Sequence, residues 1–241
     1  MNICNFLKFN TVITCIILSG CGSGGGNDDG TTYLGSEAFY SFDEQSGSEA
    51  TNARFDEYHG EIIGASRVEG KVNSALYFGY NLPSYVNFTK DYQLTLDFPE
   101  DTIGIEAWVK FETLSPNETY NFFGSYGGGT KNFALSVKES QFEFVLYTPY
   151  ESINLLDTNF VFGVDTWYHI AFTYNGSDSK FYINGELNTS SSIIGPVNEI
   201  YNTLYLGGYK GNSFPGYIDE LLFTSELRTA NQIKEYYEST K

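Results

Sequence analysis

Oxygen-rich turns are the first feature of the sequence with chemical reach. Asp43-Glu44 precedes Gln45-Ser46-Gly47, Asn52 and Asp56 stand shortly before His59-Gly60, and Asp219-Glu220 lies close to the far end of the 241-residue chain. Carboxylates in turns that can curl around an ion suit calcium, which takes six to eight oxygens from carboxylates, carbonyls and water. The same residues also fit an acidic surface, because acidic side chains mostly stay in water. Thirty Asp and Glu against thirteen Lys and Arg give a formal charge of −17. That balance argues against nucleic acid or an anionic lipid surface as partner.

Aromatic side chains are the second feature, with 20 Tyr and 20 Phe but only 2 Trp. A tyrosine fits a glycan site because its ring packs on a sugar face while its hydroxyl keeps a polar partner. Tyr126 beside Gly127-Gly128-Gly129, Tyr147 and Tyr150 around Pro149, and Tyr209 before Lys210-Gly211-Asn212 are the loop candidates. Trp108, on the face of its strand opposite the core, is either a further platform or a ring covered by a loop. For each ring taken singly, half-burial at a sheet edge is the plain alternative.

Bond-cleaving chemistry is poorly represented. Paired carboxylates straddling a glycosidic bond would need a run such as ExDxxE, which is absent, and Glu106 stands alone on its strand. In a regular strand Asp219 and Glu220 point to opposite faces. There is no GxSxG motif. The two histidines are far apart: His169 falls inside a strand, where packing is its expected role, and His59 falls in a turn. A non-catalytic protein is expected.

The elements that must position these residues are short strands. From Tyr33 to Phe223, apolar or alternating runs are broken every ten or so residues by Gly, Asn, Asp, Ser or Pro, the pattern of an all-β sandwich. In residues 103–111, Ile103, Ile105, Ala107, Val109 and Phe111 share one face, and Gly104, Glu106, Trp108 and Lys110 the other. Hairpins are expected at Lys138-Glu139-Ser140-Gln141, at Asn175-Gly176-Ser177-Asp178 and at Asn184-Gly185. One short terminal helix is expected, with a capping box at Thr229-Ala230-Asn231-Gln232 and with Ile233, Tyr236 and Tyr237 on one side.

The first 32 residues stand apart from this body. Residues 1–20 have the layout of a cleaved export signal, with Lys8 ahead of an apolar stretch from Val12 to Leu18. Leu18-Ser19-Gly20-Cys21 resembles the bacterial lipobox, which implies cleavage before Cys21 and attachment of lipid to its sulfur. Residues 21–32 are rich in Gly, Asp and Ser and read as a tether. Residues 33–241 are the expected folded domain. All three cysteines precede it, so no disulfide is expected within it.

Six segments of that domain, taken in order, resemble the laminin-G-like, concanavalin A-like jelly-roll domains of bacterial surface proteins. They are YSFDEQSG (40–47), GKVNSALYF (70–78), IEAWVKF (105–111), WYHIAFTYNGSDSKFYINGEL (167–187), LYLGGY (204–209) and GYIDELLF (216–223). The resemblance implies a two-sheet antiparallel jelly-roll sandwich whose first and last strands lie side by side, structural calcium, and binding of glycans or proteins. Asp43 and Asp219 would then converge, and Asp43, Asp56 and Asp219 are the expected calcium ligands. The expected protein is a lipid-anchored component of the bacterial cell envelope, by analogy in the outer membrane, that binds carbohydrate through Trp108, Tyr126, Tyr150 and Tyr209. A protein-binding or structural surface role is the alternative, and a divergent glycan-cleaving enzyme a third.

Overall fold

The computed structural model describes residues 37–54, 56, 58–79, 83–88, 102–127, 130–147, 152–157, 160–192, 203–208 and 212–241. Its strands open with β1 (Glu37–Tyr40), β2 (Glu49–Ala50), β3 (Gly60–Ile63), β4 (Ser66–Glu69), β5 (Ser74–Phe78) and β6 (Tyr85–Asn87). Next come β7 (Thr102–Phe111), β8 (Thr119–Gly127), β9 (Thr130–Lys138), β10 (Gln141–Tyr147) and β11 (Ser152–Asp157). The last are β12 (Trp167–Asn175), β13 (Asp178–Ile183), β14 (Glu186–Ser192), β15 (Thr203–Leu206), β16 (Asn212–Ser213) and β17 (Gly216–Thr224), followed by helix α1 (Ala230–Thr240).

These strands form two sheets. The first runs β14-β13-β12-β7-β17-β5-β4, with β1 also paired to β17. The second runs β11-β10-β9-β8-β15-β6-β3-β2, with β16 beside β8. Apart from the short parallel β16–β8 contact, the strand pairs are antiparallel. The opening and closing strands are neighbours as expected, with Glu37 opposite Thr224 and Tyr40 opposite Leu221.

The apolar alternation decides which side faces in. Ile103, Ile105, Ala107, Val109 and Phe111 of β7 are all buried in the core between the sheets. Phe144 of β10 stacks on Phe172 of β12 with ring centroids 4.0 Å apart, tying one sheet to the other. Each such fully buried ring stabilises the fold by about 1.5–3 kcal/mol relative to an exposed one.

Tight turns set the register. Asn184 and Gly185 both take positive φ (51° and 77°) between β13 and β14, the backbone that a two-residue hairpin demands. Glu139 and Ser140 do the same between β9 and β10 (50° and 63°), although neither is a residue that favours that conformation.

At eleven residues, α1 is too short to be stable by itself and depends on packing. Its capping box joins Thr229 and Gln232 reciprocally. It lies on the outer face of the first sheet, where buried Ile233 meets Ala171 and Tyr182. A Cβ on Gly185 would stand 3.1 Å from both Lys234 Cα and the Tyr237 ring, so glycine there lets the β13–β14 turn approach the helix.

Candidate functional site

The outer face of the first sheet carries most of the predicted site residues whose side chains are described. Its geometry begins with a fault in β17. The register against β7 shifts between Asp219 and Leu222, and Glu220 adopts φ 54°. Ile218 and Leu221 both remain in the core, so the two residues between them both leave it. The bulge therefore corrects the expectation of opposite faces: Asp219 and Glu220 share the outer side.

Asp219 is fully buried there. Its Oδ2 accepts hydrogen bonds from the backbone N–H groups of Lys71 and Val72, each at 2.9 Å. Asp43 holds the other half of the same turn, accepting from Ser74 N at 3.0 Å and Asn73 Nδ2 at 3.1 Å. Gly70 is required for this approach, since a Cβ would lie 2.6 Å from Asp219 Oδ2 and 2.7 Å from the Ser74 carbonyl carbon. Among the described residues, Asp219 Oδ1 is buried with no hydrogen-bond partner. Burial, reinforced by the Glu220 carboxylate, pushes the Asp219 carboxyl up to about 8 against the opposing pull of the backbone amides. Glu220 is also raised, chiefly by burial and further by Asp43, while the donated Tyr236 hydroxyl works the other way.

Asp43 and Asp219 thus meet at one turn, but Asp56 does not join them. Its side chain is fully exposed and lies 4.0 Å from His59 Nε2. Among the described residues no three acidic, His or Cys side chains are grouped to hold a metal ion, which corrects the expected Asp43–Asp56–Asp219 trio. The physical reason is that the Asp43 oxygens are committed to the 71–74 turn, while the Asp56 side chain stands in solvent. The orphaned Asp219 Oδ1 is a single oxygen, against the six to eight that calcium takes.

Trp108, expected as a platform, is buried under α1. Its Nε1–H donates to Thr240 Oγ1 at 3.0 Å, and its ring lies 5.7 Å from Tyr237 and 5.3 Å from His169. The expectation failed because the helix pattern did not reveal which outer-face residues the helix would cover. Beneath it, His169 Nε2 is 3.0 Å from Glu106 Oε1, and Arg228 Nη1 donates to Glu106 Oε2 at 3.1 Å. His169 is packed in a strand, as its place in the sequence indicated.

Tyr126 is not in a loop. It belongs to β8, opposite Lys131 and Thr203. Tyr150 and Tyr209 lie outside the described residues, as do Cys21 and the segments 1–20 and 21–32. Sequence reasoning missed the row Tyr77, Tyr217, Lys110 and Trp167 on the same outer face. Reading β7 and β17 as neighbours would have found it.

Two stacked antiparallel sheets, with first and last strands paired and a terminal helix on one outer face, define a jelly-roll sandwich. The chain belongs to the concanavalin A-like lectin/glucanases superfamily, a laminin-G family profile matching residues 84–234. Solved structures agree on the fold. Domain 4 of AbnA, a GH43 extracellular arabinanase from Geobacillus stearothermophilus, in complex with arabinotriose, is 21% identical with a TM-score of 0.64. The match covers 82% of this chain and 96% of that domain. The binding domain of Paraclostridial Mosquitocidal Protein 1 is 14% identical with a TM-score of 0.66, over 85% of this chain and 52% of that one. The binding domain of botulinum neurotoxin DC, in complex with rat synaptotagmin II, is 13% identical with a TM-score of 0.66, over 86% and 52% respectively. This chain spans about half the length of those toxin binding domains. No curated protein matches the sequence.

Proposed function

We propose that this protein is a non-catalytic carbohydrate-binding module, tethered to the bacterial cell envelope, in the outer membrane, by lipid on Cys21. The observation that carries the reading is the match to nearly the whole of an arabinanase domain that holds arabinotriose, a unit of the same extent as this body. A non-catalytic role is supported by three carboxylates of the outer face. Glu106, Asp219 and Glu220 are all buried beneath the helix or against the 71–74 turn, so a polysaccharide does not reach them. Structural calcium belongs to the proposal, with Asp219 Oδ1 as its protein donor and Asp43 holding the turn beside it. The ion would supply the positive charge that this buried carboxylate lacks.

The full chain applied to an array of neutral and acidic glycans is expected to retain a subset, and no retention at any concentration tested would end the reading. A protein ligand is the second reading, favoured by the toxin binding domain solved with synaptotagmin II. Anchoring is checked separately by palmitate labelling of cells, with the label expected to vanish in Cys21→Ser.

A further inference from the structure

Two residues along the strands from Trp108, the outer face of the first sheet is no longer covered by α1. There Tyr77 of β5 stands opposite Tyr217 of β17, Tyr217 opposite Lys110 of β7, and Lys110 opposite Trp167 of β12. The four side chains form one row across four adjacent strands, about 14 Å from end to end at strand spacings near 4.8 Å. The Tyr77 and Tyr217 rings are 5.0 Å apart, and Tyr217 and Trp167 are 6.2 Å apart. Lys110 Nζ lies 4.0 Å from the centre of the Tyr217 ring and 5.1 Å from that of Trp167. The Tyr77 hydroxyl donates to Glu112 Oε2 at 2.6 Å. All four members of the row are partly exposed and Glu112 is exposed.

Cross-strand aromatic pairs stabilise a sheet only modestly, and rings left partly in water forgo much of the burial they could gain. A row of three such rings with polar groups at its centre and end has the composition of a sugar platform. Ring faces meet the C–H face of a pyranose or furanose, while an ammonium donor and a carboxylate acceptor meet its hydroxyls. Charge selects among saccharides. The row carries one ammonium and one carboxylate, so it is locally neutral, and the chain around it carries a formal charge of −17, which repels polyanions. Its length suits several sugar rings in line rather than one.

We propose that Tyr77, Tyr217, Lys110 and Trp167, with Glu112, form the binding surface for an extended neutral oligosaccharide. This rests on the carbohydrate-binding reading above and gives it a place and a ligand class. The test is calorimetric titration of the full chain with arabinotriose, cellotriose and trigalacturonic acid. Because Trp108 is buried, Trp167 fluorescence serves as a second, local signal. At least one neutral trisaccharide is expected to bind and to perturb Trp167. Tyr217→Ala and Trp167→Ala are each expected to weaken it about tenfold or more. Glu112→Gln, which leaves the rings in place, is expected to weaken it less. Unchanged melting temperatures would show that these variants are folded. Neutral-sugar binding that survives both alanine variants overturns the location while leaving the carbohydrate reading intact. Binding of trigalacturonic acid alone overturns the ligand class. Absence of binding by the unmodified chain overturns both.

Discussion

Two rows on one face of the first sheet, two residues apart along the same strands, have opposite fates. In one, Asp219, Trp108 and His169 are opposed in register and all are buried, closed over by α1 and the 71–74 turn. In the other, Tyr217, Lys110 and Trp167 occupy the corresponding positions and remain partly exposed. The strands, the twist and the inner-face packing are shared, so these do not explain the difference. The covering elements do. Burial turns the polar atoms of the first row toward protein partners: His169 lies beside Glu106, which Arg228 neutralises, Trp108 finds Thr240, and Asp219 holds the Lys71 and Val72 amides. The second row keeps its donors and acceptors available. A similar mix of aromatic and charged side chains thus becomes a structural clamp under a helix and a recognition surface without one.

The sharpest way to break this comparison is to truncate the two tryptophans in turn. Trp108→Ala removes the ring that α1 packs on and its bond to Thr240, at an expected cost of about 3–5 kcal/mol, a fall in Tm of about 10 °C for a body of this size. Trp167→Ala is expected to cost less than about 1 kcal/mol, because half-exposed rings bury less. Thermal and urea unfolding of the two variants measures both. Equal losses would mean that the bare row holds the fold together as the covered row does, and the division of labour would fail.

A smaller effect separates the two roles of Asp219. Asp219→Ala leaves the Lys71 and Val72 amides without their acceptor, an expected loss of about 2 kcal/mol in all. Asp219→Asn keeps an oxygen for those amides and removes an acid that is costly to ionise when buried, so in chelator it is expected to match or exceed the unmodified protein. Calcium at 100 times its dissociation constant is expected to stabilise the unmodified protein by about 2.7 kcal/mol and to leave Asp219→Asn unmoved. Melting curves with calcium and with chelator decide this, and identical curves for the unmodified protein would remove the ion from the account.

The fold was legible in the sequence because its signals are local or periodic. Ile103 to Phe111 alternates without interruption, Asn184-Gly185 announces its turn, and Thr229 with Gln232 announces its helix. The site was less legible because its geometry depends on long-range pairing. Nothing local to Ile218-Asp219-Glu220-Leu221 signals a bulge, since Glu220 is not a residue that favours positive φ. Alternation along one strand placed Trp108 and Lys110 on the same outer face, but only the path of α1 tells which of them is covered. Tyr77, Lys110, Trp167 and Tyr217 are spread over 141 positions of sequence, and they form a row only once β5, β17, β7 and β12 lie in order.

The finest test of the comparison reads the bare row by its own titration. Tyr77 donates to Glu112, and that hydrogen bond, more than burial, pushes its phenol up to about 12 from the usual 10. A raised folded-state pKa means that the neutral phenol favours the folded state. The contribution is complete below pH 10, neutral pH included, and is lost as pH rises from there through about 12; solvent around the exposed pair keeps it small. Because Tyr77 is open to solvent, the bond is expected to yield to a competing ligand. In an alkaline ultraviolet titration, Glu112→Gln should return one tyrosine toward an ordinary pKa with little change in neutral-pH melting. A saturating neutral trisaccharide should shift the same phenol. By contrast, Tyr236 is raised chiefly by burial between α1 and the covered row, further by Glu220 and Glu106, and should not respond to sugar. A shift of both tyrosines, or of neither, would erase the distinction between the sealed half of the face and the open one.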